Sequence, residues 1–335
     1  MAATAYSAAG LVSCTGGSAR TLAPSLRLKA STSSLRVSSS ALSRGSHVRV
    51  NPLTFRTSTL RSTAPLTRQV LTMASASATP AIIVGKGRVG QALLDMGPSE
   101  DVILGRGEPI AGPEGPIIVC TRNNDLQGVV DATPPERRDD LVFIQNGMLQ
   151  PWLDAAGLGD NTQVLVFFAV AKLGDTPQDG KTDVNPEGLT AAYGKHAQSV
   201  ADRLSNGGLS CKVLGRVAFQ KAMLEKLIWI AAFMLVGAKY GGTVGDVERD
   251  HREDVTLLIK ELASAGAAEL GISLDAGYVD RLTAYARTVA HFPTAVKEFE
   301  WRNGWFYDIS KRAMTDGKPD PCPTHTAWLK EVGAI

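Results

Sequence analysis

From residue 81 onward, short apolar runs alternate with stretches of helical spacing. Ala81–Val84, Asp101–Leu104, Pro116–Cys120, Leu141–Gln145 and Gln163–Phe168 are rich in β-branched residues and of strand length. Helix-like segments follow the first run and recur around Asn124–Asp131 and after Pro151. Strands that are apolar throughout and separated by helices predict an α/β, Rossmann-type doubly wound, largely parallel sheet. Only about ten residues separate Arg106 from Ile117, so the crossover there is abbreviated. The spacing further predicts a loop or hairpin over Leu173–Glu187, a polar amphipathic helix over Thr190–Leu204 and a final edge strand over Ser210–Leu214.

From Val217 the texture turns all-helical. The segment Ala218–Tyr240 becomes apolar on every side after Lys226, as a centrally packed helix does. Gly241-Gly242-Thr243 ends it, and further helices are expected over Arg252–Gly271, Ala276–Ala290 and Val296–Ser310. The reading is therefore a nucleotide-binding region over 80–215 and a helical substrate and dimerisation region over 217–335, with ligands between them.

Charge changes the picture at the N-terminus. Residues 1–80 hold nine Lys and Arg and no carboxylate, with 16 Ser and 11 Thr, which leaves 26 basic and 33 acidic residues in the rest. A stretch that basic, acid-free and poor in large apolar side chains reads as a transit peptide over 1–75, disordered by composition, that directs the chain to the plastid stroma, with the mitochondrion as the alternative. The acidic remainder argues against nucleic-acid binding, which needs clustered cations. Its longest uncharged apolar run, Leu227–Ala238, has twelve residues, short of the roughly 18 that span a bilayer. Cys120, Cys211 and Cys322 are too scattered for a disulfide framework. Cys322 and His325 could supply two metal ligands, but a lone pair in a proline-rich tail reads as loop, so no metal is expected.

Gly85-Lys86-Gly87-Arg88-Val89-Gly90 follows the first strand and opens the first helix, the order a dinucleotide fingerprint requires. Gly85 serves the tight turn, Gly87 the approach of a pyrophosphate and Gly90 close packing of the helix. The second strand ends in Gly105-Arg106-Gly107. A cation there favours a 2′-phosphate, hence NADP over NAD, although Glu108 could act as a ribose-binding acid and reverse the preference.

Together with Val119-Cys120-Thr121-Arg122, Phe143–Met148, Glu225-Lys226-Leu227 and Lys297–Gly304, these segments resemble, in order and spacing, the ketopantoate reductase (2-dehydropantoate 2-reductase) family. The resemblance covers residues 81–310. It implies a helical C-terminal domain of the 6-phosphogluconate dehydrogenase kind, a monomer or homodimer, and NADPH-dependent reduction of a small 2-keto acid. Lys226 would give the proton, Asn146 would hold the substrate oxygen, and Glu298 would contact the substrate hydroxyl. Asn303 and Thr294 are lesser substrate candidates, and Arg122 stands where the family has a basic residue, able to clamp a carboxylate or phosphate.

Plainer readings stand beside each role. Lys226 could snorkel beside Glu225, Asn146-Gly147 is an ordinary turn pair, Glu298 and Arg302 have the spacing of an i,i+4 bridge, and Asn303 could cap a helix. Two positions along the central helix, where the family has asparagines, are Ile230 and Met234, which puts ketopantoate itself in doubt. Three readings follow: an NADPH-dependent reductase of a keto acid or related carbonyl, a catalytically inactive NADP(H)-binding regulatory or scaffold protein, and a Rossmann enzyme of the β-hydroxyacid dehydrogenase type.

Overall fold

A computed structural model describes residues 78–335. The proposed transit peptide over 1–75 lies outside the described residues. Seven strands form one sheet in the order β2-β1-β3-β4-β5-β6-β7. They are β1 (Ile82–Val84), β2 (Val102–Leu104), β3 (Ile117–Val119), β4 (Leu141–Phe143), β5 (Thr162–Leu165), β6 (Ala191–Tyr193) and β7 (Lys212–Val213). The first five are mutually parallel, β6 is antiparallel to β5, and β7 is parallel to β6.

The uniformly apolar strands are explained by burial on both faces. Ile83, Ile118, Val142 and Val164 pack under α1 (Arg88–Asp95) and α4 (Ala197–Asn206). Ile82, Ile117, Val119 and Phe143 pack on the other side, under α2 (Leu126–Ala132) and α3 (Gln150–Ala155). No helix separates β2 from β3, as the short spacing predicted.

One expectation fails between residues 190 and 204. Ala191–Tyr193 is a strand, and only the second half of the segment is helix. The sheet edge decides this: Gln163, Val164 and Leu165 pair with Tyr193, Ala192 and Ala191. Gly194 then turns the chain with φ +109°, where a Cβ would stand 2.7 Å from Thr162.

The helical region is built on α5 (Arg216–Tyr240), which buries an unbroken face-to-face run from Lys226 to Phe233. Around it lie α6 (Val244–Asp250), α7 (Arg252–Leu270), α8 (Tyr278–Thr288), α9 (Asn303–Thr315) and α10 (Pro323–Glu331). Helix α6 has a legible start that composition hid, a capping box between Thr243 and Asp246. The expected helix over Val296–Ser310 begins only at Asn303: Glu298 adopts left-handed backbone at φ +47°, Phe299–Trp301 makes a single 3-10 turn, and Arg302 is again non-helical. The tail forms α10 with proline in its first turn. The core of this region includes Met148, Leu165, Phe167 and Ala191 from the sheet, so the sheet and the helices share one apolar interior.

Candidate active site

The parallel strands end on one side of the sheet, where open α/β folds bind ligands. Gly85 leaves β1 at φ +122°, and a Cβ there would meet the Cys120 backbone at 3.0 Å. Gly90 lies against the turn itself, since a Cβ would fall 1.8 Å from the Gly85 carbonyl oxygen. A Cβ on Gly87 would meet nothing within 4 Å. Gly87 also precedes α1 without any side-chain cap. The first N–H groups of that helix thus face open space, a cradle for phosphate.

Beside this turn is a cavity of about 580 Å³, lined by the glycine turn, Arg106–Glu108, Thr121, Arg122 and the apolar Ile110, Val129 and Ala132. The hydroxyl of Thr121 is buried without a partner. Open space over Gly87, an apolar wall and a waiting hydroxyl fit a dinucleotide cofactor. Lys86 donates to Glu108 at 2.7 Å, and this bond lowers the pKa of that carboxyl, holding it ionised. Glu108 is therefore already engaged. Arg106 projects into solvent 3.5 Å from Asp125, and Arg122 is exposed on the same rim. Arg88 turns away and donates to the Ala171 carbonyl at 2.7 Å, so its side chain leaves the cavity, while Val89 packs inward against the core.

Further along the strand ends, Lys226 is buried, 7% exposed. Its amine donates to the carbonyl of Val166, just past β5, and lies 4.7 Å above the Phe167 ring. Desolvation, with a smaller contribution from the charge of Arg302, pulls its pKa down to about 7. That ring belongs to an aromatic cluster: Phe167 meets Tyr285 at 4.9 Å and Tyr285 meets Trp229 at 4.8 Å, both edge to face. The snorkelling alternative does not hold. Glu225 is taken by Arg281 at 2.5 Å, leaving the lysine without a carboxylate.

Asn146 follows β4 and keeps an exposed side-chain amide; its backbone carbonyl accepts from buried Asn123 at 3.1 Å. The next residues receive the C-terminal segment. The N–H of Met148 donates to the Trp301 carbonyl at 2.7 Å. Gly147 sits at φ +114°, where a Cβ would be 2.5 Å from that same oxygen. Trp301 also meets the Trp152 ring at 6.3 Å. This docking brings Glu298 and Arg302 to the β4 turn. The two are ion-paired, as their spacing predicted, but not as a helical surface bridge: Glu298 is left-handed and Arg302 is only 15% exposed.

Two candidates fall elsewhere. Asn303 is 1% exposed and its Oδ1 accepts from His325 Nε2 at 2.9 Å, inside the helical core. Burial lowers the His325 pKa to about 4, so it donates as a neutral ring. Thr294 donates to the Gly242 carbonyl at 2.7 Å and packs on Gly237, three turns along α5 from Lys226. Neither joins Lys226. Ile230 is buried one turn beyond the lysine and Met234 is partly buried. Among the described residues, no group of three or more His, Cys, Asp and Glu could hold a metal ion, and no helix is long and apolar enough to cross a membrane.

A dinucleotide-type sheet with a glycine turn, joined to a helical region that carries a buried lysine, defines the class. Its fold is that of the ketopantoate reductases. The chain is similar to the dimeric ketopantoate reductase from Staphylococcus aureus, at 17% identity and a TM-score of 0.56, over 76% of this chain and 98% of that one. It is similar to a PanE/ApbA family ketopantoate reductase from Ralstonia eutropha JMP134, at 16% identity and 0.55, over 76% and 98%. A D-mandelate dehydrogenase, solved with NADH and anilino(oxo)acetate, gives 14% identity and 0.53, over 75% and 98%. No protein-family model matches the sequence, and no curated protein matches it.

Proposed function

We propose that the protein is an NADPH-dependent reductase of a 2-keto acid, with Lys226 as the proton donor. The observation that carries this reading is the buried amine without a carboxylate partner, placed at the strand ends with its pKa brought to about 7. A general acid works best when its pKa is near the working pH. The glycine turn of residues 85–90 would hold a reduced nicotinamide dinucleotide, which would supply the hydride. Lys226 Nζ gives a proton to the carbonyl oxygen as negative charge gathers there and is reprotonated from solvent; the free amide of Asn146 orients the same oxygen. Phe167, Trp229, Tyr285 and Ile230 favour a substrate with an apolar side chain over a small polar one.

The reading favours NADPH because Arg106, exposed and only loosely paired with Asp125 at 3.5 Å, and the exposed Arg122 can meet a 2′-phosphate, whereas Glu108 is engaged by Lys86. The composition of residues 1–75 supports import into the plastid, and the dimeric Staphylococcus neighbour supports a homodimer. The test is NADPH oxidation across a panel of 2-keto acids and aldehydes. Lys226→Ala should lose turnover by about 100-fold or more while still binding NADPH. Reduction at the parental rate by that variant would refute the role. Nucleotide binding with no turnover on any carbonyl would favour a non-catalytic NADP(H)-binding protein.

A further inference from the structure

The geometry points to Arg302 as the receptor for the substrate's carboxylate, beside Lys226. This rests on the reductase reading for the identity of the substrate. A guanidinium has five N–H donors. That of Arg302 is mostly buried, yet among the described residues its one partner is Glu298, bound at Nη2. Its Nε is buried and has no partner among the described residues. An unpaired buried donor on a charged group is costly, and one that persists calls for an explanation such as a role toward a ligand. Nε and Nη2 form the side-on edge of the guanidinium, the edge that grips a carboxylate at two points.

The backbone around Arg302 is strained in a way that holds this arrangement. Glu298 is the one non-glycine residue among those described with left-handed backbone. Strain of this kind survives where surrounding contacts fix it, here the Trp301 carbonyl on the Met148 N–H.

Charge makes the same demand. The charge of Arg302 disfavours protonation of Lys226, and the carboxylate paired with Arg302 is that of Glu298, 37% exposed. Tyr285, the other ionisable group by the Phe167 ring, is kept neutral by burial, with its pKa raised to about 12. A 2-keto acid carries its carboxylate on the carbon next to the carbonyl, so it can place one oxygen at Lys226 and its negative end at Arg302. It would share Nη2 with Glu298 or displace it. An ester or aldehyde satisfies only the lysine. Other cations are committed elsewhere: Arg106 and Arg122 belong to the nucleotide rim and Arg88 to the Ala171 carbonyl.

The test is calorimetric binding of phenylglyoxylate and of its methyl ester to the full protein saturated with NADP⁺, with NADPH oxidation followed separately. The parent should bind the acid at least about tenfold more tightly than the ester. Arg302→Gln should bring the two within about twofold, and Glu298→Gln, which removes the competing carboxylate, should tighten the acid. An acid preference retained in Arg302→Gln, or no acid preference in the parent, overturns the assignment. If Arg302→Gln fails to fold by circular dichroism, Glu298→Gln decides, and unchanged or weaker acid binding overturns it. An Arg302-dependent preference without any NADPH oxidation would sink the reductase reading while leaving the carboxylate site in place.

Discussion

Replacing Lys226 by methionine separates the burial of the charge from the packing of its stem. Methionine keeps most of the apolar volume along α5 and removes the ammonium. A pKa brought from an ordinary 10.5 to about 7 means that, at neutral pH, the charged amine destabilises the fold by roughly 4 kcal/mol relative to strongly alkaline solution. Below about pH 7 the amine is charged folded and unfolded, and the penalty is complete. Between about 7 and 10.5 the folded protein gives up the proton while the unfolded chain keeps it, so the parent gains stability as pH rises. The variant has no such gain. Losing the bond to the Val166 carbonyl costs the variant about 1 kcal/mol, so a net advantage of about 2–3 kcal/mol is expected at neutral pH. Urea unfolding of both proteins at about pH 6.5 and 9.5 reads the difference, because all other titrations cancel between them. The advantage should shrink by about 3 kcal/mol over that interval. A difference that stays flat with pH would refute the account of a desolvated amine, and with it the tuned general acid.

Gly147→Ala places a methyl group on the Trp301 carbonyl and forces an unfavourable φ, so thermal unfolding should show a loss of about 2 kcal/mol or more. The same variant should lose turnover out of proportion to NADPH binding, since it undocks Glu298 and Arg302. Gly87→Ala and Gly90→Ala should behave as opposites. The first leaves stability within about 0.5 kcal/mol and weakens NADPH binding by roughly tenfold or more, whereas the second destabilises the fold itself. Arg106→Ala should reduce the NADPH-to-NADH affinity ratio by about tenfold in fluorescence titrations, and an unchanged ratio would return attention to Glu108.

The largely parallel sheet, the missing crossover helix and the packed α5 were all legible, because uniform apolar runs and glycine spacing are local signals. The identity of Ala191–Tyr193 was not, since two alanines and a tyrosine read equally well as helix, and only the open edge of β5 makes them a strand. Within the site, Lys226 could be named but not its environment: nothing near it in sequence announces Val166, Phe167 or Tyr285. Arg302 was visible only as the far end of an i,i+4 pair. Its burial comes from a left-handed turn at a glutamate, which no propensity signals. Asn303 and Thr294 looked alike as polar residues near the C-terminus, and tertiary contacts with His325 and Gly242 took them away.

The bond between Met148 and Trp301 joins residues more than 150 positions apart. On a chain emerging from the ribosome, or refolding from its N-terminus, the glycine turn and its cavity can form long before the segment that carries Arg302 exists. The proposed nucleotide pocket is thus ready early, while the proposed carbonyl end of the site waits for the last part of the chain to fold back. A truncated or stalled chain could still hold a dinucleotide but would lack the means to use it.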